Sequence, residues 1–304
     1  YSVNSWDRKF YNHTNENAED FKIDVTDNLK KQDWKIYIPA KEEVLIGGLT
    51  FLNNWIIRSE TINALDKLFV KNITTGIEEE LLFSDESVYV PGISLVQRDK
   101  NTDEIYLGYS SPKTQSRVYS YNLSSKEKKL IKEQKIPSGH NPEDYIVERV
   151  DCESHDGRMV PLTITRHKNT KLDGSANLLL YGYGSYGSSM SPSFSTTKLS
   201  LINRDIIWVT THIRGGMERG MKWWKEGKLL NKKNTFKDYI ASAKYLIKKK
   251  YTSKNKIIGM GGSAGGLLMG AVVNQAPELF LGIIMAVPFV DSLTTNMDHS
   301  LPLT

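Results

Sequence analysis

The run Ile257-Ile258-Gly259-Met260-Gly261-Gly262-Ser263-Ala264-Gly265-Gly266-Leu267-Leu268-Met269 constrains this chain more than any other. An apolar segment enters a set of glycines, a serine sits among them, and a helix-forming apolar segment leaves. The order reads as strand, sharp turn and helix. Gly261-Gly262-Ser263-Ala264-Gly265 fits the pattern G-x-S-x-G, in which a serine at the tip of a tight turn projects its hydroxyl. Backbone angles at such a tip are strained. Side chains at the flanking positions would collide with strand and helix, which explains Gly261 and Gly265. The amide of Ala264 then lies at a helix N-terminus, where an oxyanion can be held. A phosphate-binding loop is the alternative, but no Lys follows at the required place and the spacing is not G-x-G-x-x-G.

A chain of 304 residues suits two domains or one large one. Its hydrophobic content of 39% and charged content of 25% describe an ordinary globular protein. No apolar run approaches the ~20 residues of a membrane span, and no signal peptide opens the chain, so no membrane association is expected. The first residue is Tyr1, which suggests a fragment or a processed product. A single cysteine, Cys152, excludes an internal disulfide framework and fits a reducing, cytoplasmic compartment. The histidines at 13, 140, 155, 167, 212 and 299 show no paired ligand spacing, so neither metal nor cofactor is expected. Net charge is +5, with lysines gathered in 126–135, 228–237 and 244–256. Without interleaved aromatic residues these read as solvated surface, not as a nucleic-acid patch.

From Tyr1 to about Asn141 short runs rich in Val, Ile, Tyr, Phe and Trp recur between turn clusters. They are Trp34–Ile38, Leu49–Leu52, Trp55–Arg58, Lys67–Val70, Ile105–Tyr109 and Arg117–Tyr121. Such spacing is typical of meandering antiparallel sheets. Four strands in about 45 residues match a propeller blade, and a β-sandwich would give similar text. Pro137 to Pro142 reads as a linker. Beyond it, strands at Tyr145–Val150 and Val160–Thr165 flank a hairpin turn at Asp156-Gly157. Strands then alternate with helices: Asn177–Gly182, Ile206–Thr211, Lys256–Met260 and Gly282–Val287 as strands, Thr235–Lys250 and Gly265–Asn274 as helices. Asn234 or Thr235 can cap the first helix. Alternation of this kind implies a parallel sheet covered by helices.

Two loops after buried strands are candidate functional segments. In Tyr181-Gly182-Tyr183-Gly184-Ser185-Tyr186-Gly187 a tyrosine hydroxyl can serve as a second oxyanion donor, or the tyrosines simply pack. In His212-Ile213-Arg214-Gly215-Gly216, Arg214 can orient a substrate, support a loop or form a structural salt bridge. Trp223 and Trp224 read as packing residues.

At this point the sequence resembles the prolyl oligopeptidase family of serine peptidases, and within it the oligopeptidase B (protease II) branch. The matching text is Ser154-His155-Asp156-Gly157 with Val160-Pro161, then Leu180 to Gly187, His212 to Gly216, Gly227-Lys228, Lys232 to Phe236, Met260 to Gly266 and Val287 to Asp291. The resemblance implies residues 1–142 as the later blades of a seven-bladed β-propeller and 143–304 as the N-terminal portion of an α/β-hydrolase catalytic domain. It implies a cytoplasmic endopeptidase acting on short peptides after Lys or Arg. Ser263 is then the nucleophile, and Tyr183 with the Ala264 N–H forms the oxyanion hole.

The sequence departs from that family pattern in places. The order of such triads is serine, acid, histidine, with the last two on later strands. Downstream of Ser263 stand only Asp291, Asp298 and His299. A triad Ser263–Asp291–His299 is rejected, because His299 precedes the strands that normally place it. The triad Asp and His are therefore expected outside this chain, as are the glutamates that receive a basic P1 side chain. Ser191 and Ser193 stand where oligopeptidase B members carry aspartates, Met217 replaces a third glycine, and Arg219 replaces a small apolar residue. The chain alone is expected to be inactive, with an exposed apolar sheet edge awaiting a complementing C-terminal fragment. The other readings are a non-catalytic remnant or binding module, and a lipase-like esterase. The esterase reading leaves residues 1–140 and the Tyr183 loop unexplained.

Overall fold

The computed structural model describes residues 1–31, 33–82, 84–95 and 100–301. They form two compact units. One comprises residues 1–143, 191–196 and 217–223, and the other comprises residues 144–190, 197–216 and 224–304.

The first unit carries three four-stranded antiparallel sheets, each a meander in sequence order. The first sheet is β1 (Ser2–Trp6), β2 (Lys9–Thr14), β3 (Lys22–Thr26) and β4 (Lys35–Ile38). The second is β5 (Val44–Phe51), β6 (Trp55–Ile62), β7 (Leu65–Asn72) and β8 (Glu78–Glu80). The third is β9 (Val90–Leu95), β10 (Glu104–Ser110), β11 (Arg117–Asn122) and β12 (Lys128–Glu133). This is the blade arrangement, not a two-sheet sandwich. Neighbouring residues of β6 show why: Ile56 enters a cluster with Tyr11, Ile23 and Phe51, while Ile57 enters one with Leu68, Ile105 and Leu107. Successive side chains on a strand face opposite ways, so a blade with two apolar faces packs a sheet on each. Tight turns set the pairing. Asp7-Arg8 and Asn63-Ala64 have positive φ at both central positions, as two-residue hairpins require.

Segments 191–196 and 217–223 join this unit through specific bonds. The Phe194 N–H donates to Ser110 Oγ at 3.0 Å. The Asp20 carboxylate accepts from the backbone N–H groups of Met221 (2.6 Å) and Glu43 (2.9 Å). Arg219 donates to Asn63 Oδ1 at 3.0 Å and lies 3.8 Å from Glu43.

The second unit is built on a six-stranded sheet of order β13-β14-β16-β15-β17-β18. Its strands are β13 (Tyr145–Glu153), β14 (Met159–His167), β15 (Leu178–Tyr181), β16 (Ile207–Thr211), β17 (Ile257–Gly262) and β18 (Phe280–Ala286). The sheet is mixed, not purely parallel. The β13–β14 hairpin is antiparallel, and β14 joins β16 antiparallel, while β16, β15, β17 and β18 run parallel. A hairpin needs only a short turn, whereas each parallel pair needs a crossover.

The helices are α1 (Thr196–Ile202), α2 (Gly220–Lys225), α3 (Lys233–Lys248), α4 (Ala264–Gln275) and α5 (Ser292–Met297). Neither Asn234 nor Thr235 caps α3, which starts earlier, after Lys232, with no side-chain cap. Instead the Thr235 hydroxyl donates to the carbonyls of Arg214 (2.8 Å) and Gly227 (3.2 Å). Tyr239 of α3 is fully buried against the sheet and donates to the Leu180 carbonyl at 2.6 Å. Its ring fits because position 182 is glycine: a Cβ there would stand 2.9 Å from the ring. Among the described residues no helix is long and apolar enough to cross a membrane.

Candidate active site

The chain leaves β15 for β16 on one side and later returns to β17 on the other. In an open α/β sheet such a reversal opens a crevice at the carboxyl ends of the strands. The Tyr183 loop leaves β15 at that end, and Ser263 leaves β17 beside it, where Tyr181 pairs with Met260.

Ser263 occupies the single position between β17 and α4, with φ 55° and ψ −118°. A non-glycine residue adopts such a conformation only where its surroundings hold it. Here the Ser263 N–H donates to the Ala286 carbonyl (2.9 Å), and the Ser263 carbonyl accepts from Gly266 (2.8 Å) and Phe289 (3.0 Å). The side chain is exposed, whereas Ala264 is buried. The first N–H groups of α4 have no acceptor within the helix and face an incoming negative charge favourably.

The glycines around the serine are spatial necessities. A Cβ at Gly261 would stand 2.3 Å from the Gly265 carbonyl oxygen. At Gly265 it would stand 3.1 Å from the Gly182 oxygen and 3.3 Å from Tyr183 Cδ2. At Gly266, a position whose need sequence reasoning did not single out, it would stand 2.4 Å from Pro288 Cα.

Tyr183 is thus brought against the turn that carries Ser263. Its ring is half-buried, and burial, then the neighbouring Tyr186 and Tyr181, push its phenol above the usual tyrosine range. At neutral pH it is a proton-bearing donor. The loop beyond it turns through Gly184 (φ 66°), Tyr186 (φ 56°) and Gly187 (φ 70°). The Gly187 N–H donates to the Gly215 carbonyl at 2.9 Å, and Lys232 Nζ donates to Gly184 O (2.5 Å) and Ser185 Oγ (2.7 Å).

Of the three readings open to Arg214, the structure shows a salt bridge. Only 1% of it is exposed. Its Nε and Nη2 donate to the Asp238 carboxylate at 2.8 and 2.6 Å, and its backbone N–H adds a third bond at 3.1 Å. Nη1 and Nη2 reach Asp156 at 2.5 and 3.2 Å. Burial works against the guanidinium charge, but bonds to Asp238 and Asp156 outweigh it and raise its pKa further. Burial likewise works to raise Asp156, yet Arg214 holds it below the usual carboxylate range. Ser154 Oγ donates to Asp238 at 2.5 Å and completes the cluster. Asp238 is the one carboxylate on the buried face of α3, and that misfit is the sequence signal for a buried cation partner.

The remaining polar candidates lie elsewhere. His212 is fully buried with Nε2 2.9 Å from Thr163 Oγ1, and burial followed by Arg149 and Lys198 pushes its pKa well below the ordinary value. Asp291 caps α5, accepting from the Thr294 N–H at 3.2 Å. No hydrogen bond joins Asp291 or His299 to Ser263 among the described residues.

Comparisons with known proteins bear on the family and the fold. The prolyl oligopeptidase family model matches residues 192–304, and the model of its N-terminal β-propeller domain matches residues 1–134. The chain is 40% identical to dipeptidyl aminopeptidase BI of Pseudoxanthomonas mexicana over 94% of its own length and 40% of that protein's. It is 34% identical to protease 2 of Moraxella lacunata, over 100% of this chain and 44% of that one. Oligopeptidase B from Trypanosoma brucei, solved in a closed form with covalently bound antipain, superposes with a TM-score of 0.91. It is 31% identical and matches 100% of this chain and 44% of that one. The chain therefore spans less than half the length of these relatives. Three antiparallel blades, an α/β-hydrolase sheet and a serine on its strained turn, with both family models matched in order, place this chain in the prolyl oligopeptidase family.

Proposed function

We propose that this chain carries the nucleophile and the oxyanion-binding half of a serine peptidase site that cleaves short peptides after Lys or Arg. The observation that carries this reading is the strained Ser263 turn with the Tyr183 ring packed against Gly265. Ser263 Oγ attacks the scissile carbonyl carbon as its proton passes to a general base. The carbonyl oxygen becomes an oxyanion, received by the Tyr183 hydroxyl and the Ala264 N–H. Collapse breaks the C–N bond, the base returns the proton to the departing amine, and water then hydrolyses the acyl-enzyme.

The base and its acid partner are assigned to sequence outside these 304 residues, on a complementing C-terminal hydrolase segment. Asp291, engaged as a helix cap, does not suit the role of acid. The preference for Lys or Arg rests on the sequence resemblance to oligopeptidase B, a structure of which matches the whole chain with a TM-score of 0.91. A reducing, cytoplasmic setting accords with a single buried cysteine.

The test joins the chain to the C-terminal hydrolase segment of its own gene or of a relative and follows an Arg-ended fluorogenic peptide. Turnover is expected only in the joined protein and is abolished by Ser263→Ala, a loss of ~10⁴-fold or more. Turnover that survives Ser263→Ala would sink the assignment. A second reading has a specific support, the 40% identity to a dipeptidyl aminopeptidase. Blocking the substrate's amino terminus separates the two: an endopeptidase tolerates the block, and a dipeptidyl aminopeptidase does not.

A further inference from the structure

We propose that Lys232 is a positioning residue for the oxyanion loop, acting through the backbone that follows Tyr183; this rests on Tyr183 being the oxyanion donor. Gly184 and Ser185 are both buried. A buried carbonyl in an irregular loop needs a donor, and no strand or helix supplies one there. Lys232 Nζ supplies it, at 2.5 Å from Gly184 O and 2.7 Å from Ser185 Oγ. On its other side the same carbonyl lies against Gly215, where even a Cβ would come within 2.0 Å of it. The Gly184 peptide is thus wedged between a backbone and an ammonium, one residue from the Tyr183 ring.

The placement of this lysine is unfavourable in every other respect. It sits at the N-cap of α3, the end of a helix that disfavours cations. No carboxylate pairs with it among the described residues, so its charge is held by neutral oxygens alone. Burial accordingly lowers its pKa to about 8. A lysine serving only as surface would extend into water, and one serving only as structural cement would be paired. The cost is borne where the reading above needs a fixed loop. Thr235, one turn further along α3, holds the Arg214 carbonyl of the adjoining loop at 2.8 Å, so a single helix start anchors both strand-end loops.

The test has two arms. In the first, Lys232→Met and Lys232→Gln are compared with the parent by amide hydrogen exchange. Lys232→Met is expected to speed exchange over residues 183–188 by roughly tenfold, the loss of about one hydrogen bond, with β16 and β17 unchanged. Lys232→Gln, which keeps an amide donor, is expected to lie between, and it serves if Lys232→Met unfolds. Unchanged exchange across the loop in both variants would overturn the proposal, whatever the chain's activity. In the second arm, the joined protein carries Lys232→Met, Tyr183→Phe or both. The single changes are expected to lower kcat with little effect on KM, and the double change to be no worse than Tyr183→Phe alone. Additive losses would refute action through Tyr183. Absence of any Ser263-dependent turnover would instead count against the peptidase reading, and the exchange arm would still decide the role of Lys232.

Discussion

Gly265 and Tyr183 meet across the mouth of two parallel strands, a Cβ at 265 standing 3.3 Å from the tyrosine ring. The last glycine of the serine turn thus sets how close the Tyr183 loop approaches Ser263. Gly265→Ala presses on the Gly182 carbonyl oxygen at 3.1 Å as well as on Tyr183, and both must give by a few tenths of an ångström. Because α4 gains about 1 kcal/mol of helix propensity, stability should change little while catalysis suffers. We expect turnover of the joined protein to fall roughly tenfold, with the unfolding midpoint nearly unmoved. Gly261→Ala should behave oppositely. Its Cβ meets a backbone oxygen at 2.3 Å, which cannot swing aside, so a loss of about 3 kcal/mol or more is expected in denaturant unfolding.

Tyr183→Phe removes one hydroxyl and leaves the ring packing intact. If the phenol donates to the oxyanion alone, kcat should fall ~10²–10³-fold while KM barely moves. Steady-state kinetics on an Arg-ended peptide read this directly. An unchanged kcat would assign Tyr183 to packing.

Arg214 and Asp238 form a buried pair, with side-chain exposures of 1% and 0%. Removing one partner strands the other in a medium that cannot solvate it. Asp238→Ala should therefore destabilise the second unit by about 3–5 kcal/mol, seen as a lower midpoint in chemical denaturation. Arg214→Lys should not rescue the site, since an ammonium cannot bond Asp238 and Asp156 through one planar fork.

These residues also show where sequence stops being informative. The strands that carry apolar side chains at every second position, such as β10 with Ile105, Leu107 and Tyr109 buried, are legible because burial itself imposes the period. β8 is three glutamates and β12 is fully exposed, so neither bears that mark. β8 pairs with β7, and its Glu78 and Glu80 form ion pairs with Arg58 and Lys67, contacts made only after the chain has folded. The serine turn was legible because its geometry needs glycine at stated offsets. A salt bridge was one reading of Arg214, but its partners were not legible, since Asp156 and Asp238 lie 58 and 24 residues away and only the fold brings them together.

The edge of the second unit carries exposed apolar side chains. β18 pairs only with β17 among the described residues, and it exposes Leu281 (59%), Ile284 (44%) and Met285 (43%). An apolar edge strand recruits other chains. The 304-residue chain should self-associate in analytical ultracentrifugation, and Leu281→Lys with Ile284→Lys should reduce that association without lowering the unfolding midpoint. A monomeric parent with a sharp, cooperative transition would contradict this.

Lys232 makes a signed prediction about pH. Its ordinary value is 10.5, and burial lowers it to about 8 in the folded chain. Between those values the unfolded chain binds a proton that the folded chain does not. Stability linked to this group therefore rises with pH across that window, is fully present above about 10.5, and is lost as pH falls through about 8. Lys232→Met abolishes the linkage. The unfolding free energy of the parent, relative to this variant, should grow by roughly 1–2 kcal/mol from pH 7.5 to pH 10.5 once the shift is discounted for partial exposure. Tyrosines and other lysines titrate there in both proteins and cancel in the difference. A difference that stays flat with pH would mean that Lys232 keeps an ordinary ammonium and that its place beneath the Tyr183 loop is solvated.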